Sequence, residues 1–193
     1  MNQIGEILDC IWKIFRTFNP VLYAIGIDKN KHLSVRGTRT CYDPVAIAYA
    51  YLQQRLASLS EHTTIAVEPM LILADEQIEH EHLFRTGQVS DVRKNLQRAM
   101  HKAPDINNII AKPVWIDSEE MEIDREIIQI VDLMLYSVRY GMLEGNWTHP
   151  WLVNMGPHFA RHWGNGRGIG AVWNAGITMY PRPYYRKIFW ANV

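Results

Sequence analysis

The longest helical pattern in the chain, at residues 118–145, is SEEMEIDREIIQIVDLMLYSVRYGMLEG. Ser118 can cap a helix, and the two glutamates after it place negative charge in the first turn. One wide apolar face follows at helical spacing, formed by Ile123, Ile127, Ile130, Val131, Met134, Leu135, Val138 and Met142. Gly141 and Gly145 allow the helix to end. A long helix with such a face must pack against other elements, so this stretch decides the fold.

Three further helices are predicted on the amino-terminal side. Residues 4–18 repeat apolar side chains at helical spacing and stop at an Asn-Pro pair. Asp43 followed by Pro44 begins a second helix that continues to about residue 59, because an acceptor at the cap and a proline in the first turn both favour helix initiation. A third helix is expected over residues 90–104.

Short extended segments lie between and after these helices. Residues 22–27 and 32–36 flank the polar tetrad at 28–31, which predicts a hairpin. Residues 63–73 are β-branched and apolar, and residues 169–180 are the best strand candidate near the carboxyl end. The expected fold is α+β: a small mixed or antiparallel sheet packed by about four helices, with an irregular, aromatic-rich C-terminal segment.

Charge divides the chain near residue 145. Residues 1–144 hold 15 basic against 20 acidic side chains, whereas residues 145–193 hold five Lys or Arg and no Asp or Glu. The second part also contains 10 of the 21 aromatic residues. We therefore expect an acidic body over 1–144 and a basic, aromatic segment over 145–193 that completes the sheet or contacts a neighbouring subunit. The neutral total disfavours binding to nucleic acid or a membrane through overall charge.

The composition of residues 145–193 is typical of a protein interface. Aromatic side chains with scattered arginines are enriched in interface cores, and an acidic body with a basic tail suits head-to-tail association. The same tail could instead pack its tryptophans into its own core, and the sequence leaves both arrangements open. The predicted interface residues are Trp147, Trp151, Trp163, Trp173, Tyr180, Arg182, Tyr184, Tyr185, Arg186 and Trp190.

The function favoured by this pattern is non-catalytic. We expect a structural or adaptor subunit that assembles with copies of itself or with other protein subunits and needs no cofactor. The order of elements is broadly similar to that of ring-forming connector or tail-completion parts of tailed-virus particles, made in the cytoplasm and incorporated in a virion, although no residue motif carries this likeness. The first residues lack the basic start of a signal peptide, and no apolar run approaches the roughly 20 residues of a membrane span.

The competing class is a hydrolase. His32 and His62 each begin a His-x-Ser/Thr pattern followed by an apolar residue on a predicted strand, which places imidazole and hydroxyl on one face. In this respect the two patterns resemble the motifs of the two-histidine phosphoesterases. The resemblance implies acid–base chemistry on a phosphodiester, with His32 and His62 as the working groups.

A histidine-bound metal is the second form of this alternative. His158 and His162 are four residues apart and would face one side of a helix, with His149 as a possible third ligand. The residue after His158 is not the glutamate of a zinc protease, so no general base is supplied there. A second cluster over residues 76–82 contains one Glu-x-x-His pattern, where di-iron bundles use two.

The glycine run and the two cysteines carry no motif for chemistry. Residues 164–170 are rich in glycine but lack the spacing of a dinucleotide fingerprint and the Gly-Lys-Ser/Thr ending of a P-loop. Cys10 and Cys41 form no CxxC pair and lie in apolar segments, so we expect buried, reduced thiols.

Overall fold

The structure of the protein is a computed structural model. It describes residues 3–34, 42–62, 71–99, 112–116, 123–145, 149–160 and 176–180. These residues combine helices with small sheets, so the expected mixed composition is confirmed.

Seven α-helices and one 3₁₀ turn lie within the described residues. The predicted helices at 4–18 and 43–59 are confirmed, the second continuing three residues further than expected, and the helix predicted over 118–145 is present as Ile123–Glu144 within the described residues. The number of about four helices is not confirmed, because short helices fill segments in which loops or strands were expected. The helices are α1 Gln3–Phe18, α2 Lys29–Ser34, α3 Pro44–His62, α4 Ile78–Arg85, α5 Gln88–Ala99, α6 Ile123–Glu144 and α7 Pro150–Met155, followed by the 3₁₀ turn Gly156–His158.

The described strands form two pairs, and both are parallel. They are β1 Ala24–Ile27, β2 Leu73–Asp75, β3 Val114–Ile116 and β4 Ile177–Tyr180. β2 pairs with β3 in a register that places Leu73 opposite Val114. β1 pairs with β4, since Ala24 N donates to Gly176 O (2.7 Å) and Asp28 N donates to Tyr180 O (2.9 Å). Antiparallel pairing is not confirmed, because long connections that include helices join the paired strands, as parallel pairs require.

The predicted hairpin at residues 22–36 is wrong. Its first strand is present as β1, but the polar tetrad that was expected to turn begins α2 instead. Asp28 O accepts the helical hydrogen bond of His32 N at 2.8 Å, so Asp28 stands where a helix cap stands. An aspartate followed by polar residues suits a helix start as well as a turn, which explains the error.

The remaining strand and helix predictions are only partly covered by the described residues. The strand expected over 63–73 lies outside them up to residue 70, and the cap expected at Ser118 also lies outside. β4 confirms the carboxyl end of the strand expected over 169–180. The helix expected from residue 90 begins two residues earlier and is described as far as Ala99.

The chain divides into two compact units by its contacts. The first unit contains the described residues of 3–24, 129–145, 149–160 and 176–178, and the second contains the other described residues. The boundary expected at residue 145 rests on charge rather than contacts and stays a prediction.

The first unit packs α1, α6 and α7 around one apolar cluster. Leu22 forms a parallel bridge with Phe159, and Trp12 of α1 meets Trp151 of α7 edge to face, with ring centroids 5.6 Å apart. The buried members are Ile11, Phe15, Ala24, Met134, Val138, Leu152, Met155, Phe159 and Ile177.

The second unit is built on α3, which packs against α4 and α5. Ala46 and Ala50 are fully buried on α3, and their small side chains allow the neighbouring helix to approach closely. Asp43 Oδ1 accepts a hydrogen bond from Val45 N at 2.7 Å, so the predicted cap of this helix is present. The buried cluster consists of Ala46, Ile47, Ala50, Tyr51, Leu83, Val89 and Val92.

The expectation for the cysteines is corrected at Cys10. Its thiol is free and the residue is exposed on α1, because α1 directs Ile11 and Phe15 into the core and leaves the neighbouring position outside. Cys41 lies outside the described residues.

Candidate functional site

The outward side of α6 carries a row of large apolar side chains. Leu133, Tyr136, Tyr140 and Leu143, here called the α6 seam, are 46%, 67%, 40% and 69% exposed. Their spacing is three, four and three residues, which is the spacing of the a and d positions of a coiled coil. The opposite side of the same helix packs in the core of the first unit. α6 therefore has one apolar face that is covered within the chain and the exposed α6 seam, while Ile127, Val131 and Leu135 are about half exposed on another side.

Charged side chains border the α6 seam. Asp132 and Arg139 stand at g positions of the heptad and Glu144 stands at an e position, and all three are exposed. None of them forms an ion pair with another described residue. At one edge of the α6 seam, the Tyr140 ring lies 5.6 Å from the imidazole of His149. His149 therefore borders the seam on that side.

A cavity of about 280 Å³ in the second unit is lined by three cations, and we call it the cationic pocket. Arg85 is the last residue of α4, Arg93 lies on α5, and Lys112 precedes β3. Gln53 of α3 and Ser90 of α5 add polar groups to the lining. Four separate segments of the chain thus bring positive charge and hydrogen-bonding groups to one small space.

The cations of this pocket form no ion pair with a carboxylate among the described residues. Arg93 Nη1 donates to Gln53 Oε1 (3.4 Å), and Arg85 Nη2 donates to His82 Nδ1 (3.3 Å). Within the described part of the chain, neither arginine nor Lys112 forms an ion pair, although Glu81 lines the same cavity. Partial burial lowers the pKa of the Arg93 guanidinium below its usual value, because its charge is incompletely solvated.

The wall of the cationic pocket is partly apolar. Phe84 and the buried Val89 line it, and the Phe84 ring meets Trp115 edge to face at 5.7 Å. Val89 and Ser90 belong to the first turn of α5, whose backbone N–H groups have no partner within the helix. The arrangement can hold an anion by charge and hydrogen bonds beside an apolar surface.

Two of the predicted interface residues lie within the described residues. Trp151 packs against the core of the first unit, and Tyr180 packs against the core of the second, where its ring lies 5.8 Å from that of Tyr51. Their assignment to a subunit interface stays a prediction. The others lie outside the described residues, namely Trp147, Trp163, Trp173, Arg182, Tyr184, Tyr185, Arg186 and Trp190.

The strand geometry expected for His32 is wrong. His32 lies in α2, is buried, and donates from Nε2 to the carbonyl of Tyr42 at 2.8 Å. In a helix, unlike a strand, positions two apart are separated by about 200°, so the same-face geometry expected of a strand does not apply at His32. His62 ends α3 instead of beginning a strand, and the residues after it lie outside the description. The pattern that resembled a phosphoesterase motif is therefore not formed at His32.

Only some of the predicted metal ligands lie within the described residues. His158 ends the 3₁₀ turn with its ring 4.9 Å from that of Phe15, and its buried Nδ1 has no hydrogen-bond partner among the described residues. His162 lies outside the described residues, so the pair stays a prediction. The segment 76–82 contains the start of α4 at Ile78, and His80 Nδ1 lies 3.5 Å from the Tyr49 hydroxyl. Among the described residues, no group of three or more His, Cys, Asp or Glu side chains is placed to hold a metal.

Comparisons with known proteins identified no relative of this chain. A scan of protein-family models found no match to this chain, and searches of curated proteins and of solved structures found none either. In the part of the chain that the structure describes, no helix has both the length and the apolar character needed to cross a membrane.

Sequence reasoning missed both surfaces. The apolar face predicted for α6 includes Met134 and Val138, which are buried, but it also includes Ile127, Val131 and Leu135, which are about half exposed, and it omits the α6 seam. A count of the three-four-three spacing at Leu133, Tyr136, Tyr140 and Leu143 would have found the seam. The cations of the pocket are spread over residues 85–112, and no local pattern joins them.

Proposed function

We propose that this protein is a non-catalytic structural subunit that assembles with further copies of itself through the α6 seam. The observation that carries the proposal is the second apolar face of α6, which lies opposite the face packed in the core. A helix that is apolar on both sides is typical of a helix covered on both sides. Contiguous exposed apolar patches on soluble proteins commonly mark interaction sites.

A second copy is the occupant that the seam fits best. Coiled-coil spacing is self-complementary, since a and d side chains of one helix insert between those of another. Arg139 at a g position precedes Glu144 at an e position by five residues, which is the separation at which opposite charges pair between two parallel helices. Two copies would form two such pairs at the edges of the seam.

The energy of the seam predicts a weak, concentration-dependent association. Complete burial of a large apolar side chain contributes about 1.5–3 kcal/mol, and these residues are roughly half exposed, so each supplies about 1 kcal/mol. Eight side chains from two copies then contribute about 8 kcal/mol, which is of the same order as the free-energy cost of association and leaves at most a weak net affinity. Dimers should therefore be populated at high protein concentration and dissociate on dilution.

The test is the molar mass in solution of the full chain, measured by light scattering over a series of concentrations. Leu133→Glu places a charge in the seam and should return the mass to 22.4 kDa. Leu135→Glu is the matched control, because Leu135 is 45% exposed against 46% for Leu133 and lies about 160° away around the same helix. This variant should keep the mass of the parent.

The outcomes separate self-assembly from its alternatives. An isologous dimer gives twice 22.4 kDa at high concentration. A larger fixed multiple that weakens in salt would favour the head-to-tail ring expected from the charge of the two parts of the chain, and with it the connector-like role. A parent that stays at 22.4 kDa at every concentration, or two variants with the same mass, contradicts assembly through the α6 seam.

A further inference from the structure

We infer that the cationic pocket binds the phosphate group of a small molecule. Arg85, Arg93 and Lys112 supply three positive charges at its wall against the single carboxylate of Glu81, and none of the three forms an ion pair with another described residue. Like charges around one cavity repel each other, and an anion bound between them relieves that repulsion. This inference is independent of the assembly proposed for α6, since no residue of the α6 seam lines the pocket.

The chemistry of the lining favours phosphate over a single carboxylate. A phosphate monoester carries up to two negative charges and three acceptor oxygens, which matches several cations better than one carboxylate does. Arginine presents a planar fork of donors to these oxygens. Ser90 adds a hydroxyl, and the first turn of α5 adds N–H groups that favour negative charge.

The size and wall of the pocket limit what else the ligand can carry. A volume of about 280 Å³ lies just below the usual range of small-molecule sites, about 300–1,000 Å³. Phe84 and Val89 give the pocket an apolar side, against which a small ring or chain can pack. The ligand class is therefore free phosphate or a compact phosphate monoester.

The experiment is calorimetric titration of the full chain with inorganic phosphate and, separately, with phenyl phosphate, at constant ionic strength in a phosphate-free buffer. Saturable binding at one ligand per chain is expected. Tighter binding of phenyl phosphate identifies a monoester site that uses the Phe84 wall, and equal binding identifies a site for free phosphate.

Three variants test the location. Arg93→Gln and Lys112→Gln should each weaken binding by about tenfold to hundredfold, because each removes a charged hydrogen-bond donor. Lys94→Gln is the matched control: it loses the same charge from the same helix, but Lys94 is 59% exposed and does not line the pocket. Its Kd should stay within about twofold of the parent.

Two results would overturn the inference. One is the absence of saturable binding of either probe to the folded parent, and the other is a loss of affinity in Lys94→Gln as large as that in Arg93→Gln. Lys112 is exposed and has no hydrogen-bond partner among the described residues, so Lys112→Gln should fold normally. This variant keeps the test decisive if Arg93→Gln proves unstable.

Discussion

Replacement of Gly176 by alanine should destabilise the first unit, because the site has no room for a side chain. A Cβ at this position would lie 2.7 Å from both the N and the O of Ala160 and 2.9 Å from the Cβ of Phe159. Carbon atoms in contact normally stay about 3.5–4.0 Å apart. Two of the three atoms belong to the backbone, so a rotamer change cannot relieve the overlap.

The backbone around Ala160 is held by the parallel bridge. Ala160 N donates to Leu22 O (3.1 Å), and Leu22 N donates to His158 O (2.8 Å). On the other side, Gly176 O accepts from Ala24 N at 2.7 Å. A shift large enough to accept the methyl group must lengthen these hydrogen bonds. Overpacking of this kind typically costs about 1–3 kcal/mol.

The net effect is smaller than the overlap alone suggests. Alanine restricts the unfolded chain more than glycine does, and this effect stabilises the native state by about 0.4–1 kcal/mol. The free energy of unfolding should therefore fall by about 1–2 kcal/mol, which lowers the Tm of a chain of this size by about 2–8 °C. Urea unfolding followed by tryptophan fluorescence measures the change.

Gly156→Ala is the control. Gly156 has helical dihedral angles, φ −48° and ψ −43°, and nothing lies within 4 Å of a Cβ added there. Alanine should raise stability by up to about 1 kcal/mol at this site, because glycine is the poorer helix former. A Gly176→Ala variant as stable as the parent, or one that changes in the same direction as Gly156→Ala, would refute the close approach of Gly176 to Ala160.

Two further predictions concern the second unit. Asp43→Ala should lower the free energy of unfolding by about 1 kcal/mol, because it removes the 2.7 Å bond to Val45 N at the start of α3, and Asp43→Asn should recover most of the loss in the same urea assay. Burial and the nearby carboxylate of Asp75 raise the pKa of Tyr49 above its usual 10.0, so the native state holds this proton to a higher pH than the unfolded state does. The associated stability is complete below pH 10.0 and is lost as the pH rises through the native pKa; urea midpoints between about pH 9 and 11 should therefore fall more steeply in the parent than in Tyr49→Phe.

The helices could be predicted from sequence because their signals are local. α3 begins at an Asp-Pro pair whose cap bond is present, and α1 and α6 have apolar side chains at helical spacing. The prediction of a hairpin at residues 22–36 also rested on local signals. It was wrong because the signals at Asp28 are shared by turns and helix starts. The parallel pairing of β2 with β3 joins segments about 40 residues apart, and nothing local encodes it.

The candidate surfaces were harder to predict because each depends on which side chains are already covered. Periodicity finds an apolar face on α6 but does not show that one side is packed in the core and the other is exposed. The cationic pocket depends on α3, α4, α5 and the segment before β3 meeting in space. A net charge summed along the chain hides such a site, since the acidic residues of the same region cancel it in the total.

The two proposals rest on different residues and can be tested separately. The α6 seam belongs to the first unit and the cationic pocket to the second, and no residue contributes to both. A protein that only assembles has no need of unneutralised cations around a cavity, whereas a protein that only binds a phosphate has no need of a second apolar face on α6. If Leu133→Glu abolishes assembly and leaves the phosphate titration unchanged, the chain is a subunit that carries its own ligand site. If the titration changes with assembly, then by linkage the ligand must shift the molar mass as well, and light scattering with and without phenyl phosphate would detect that coupling.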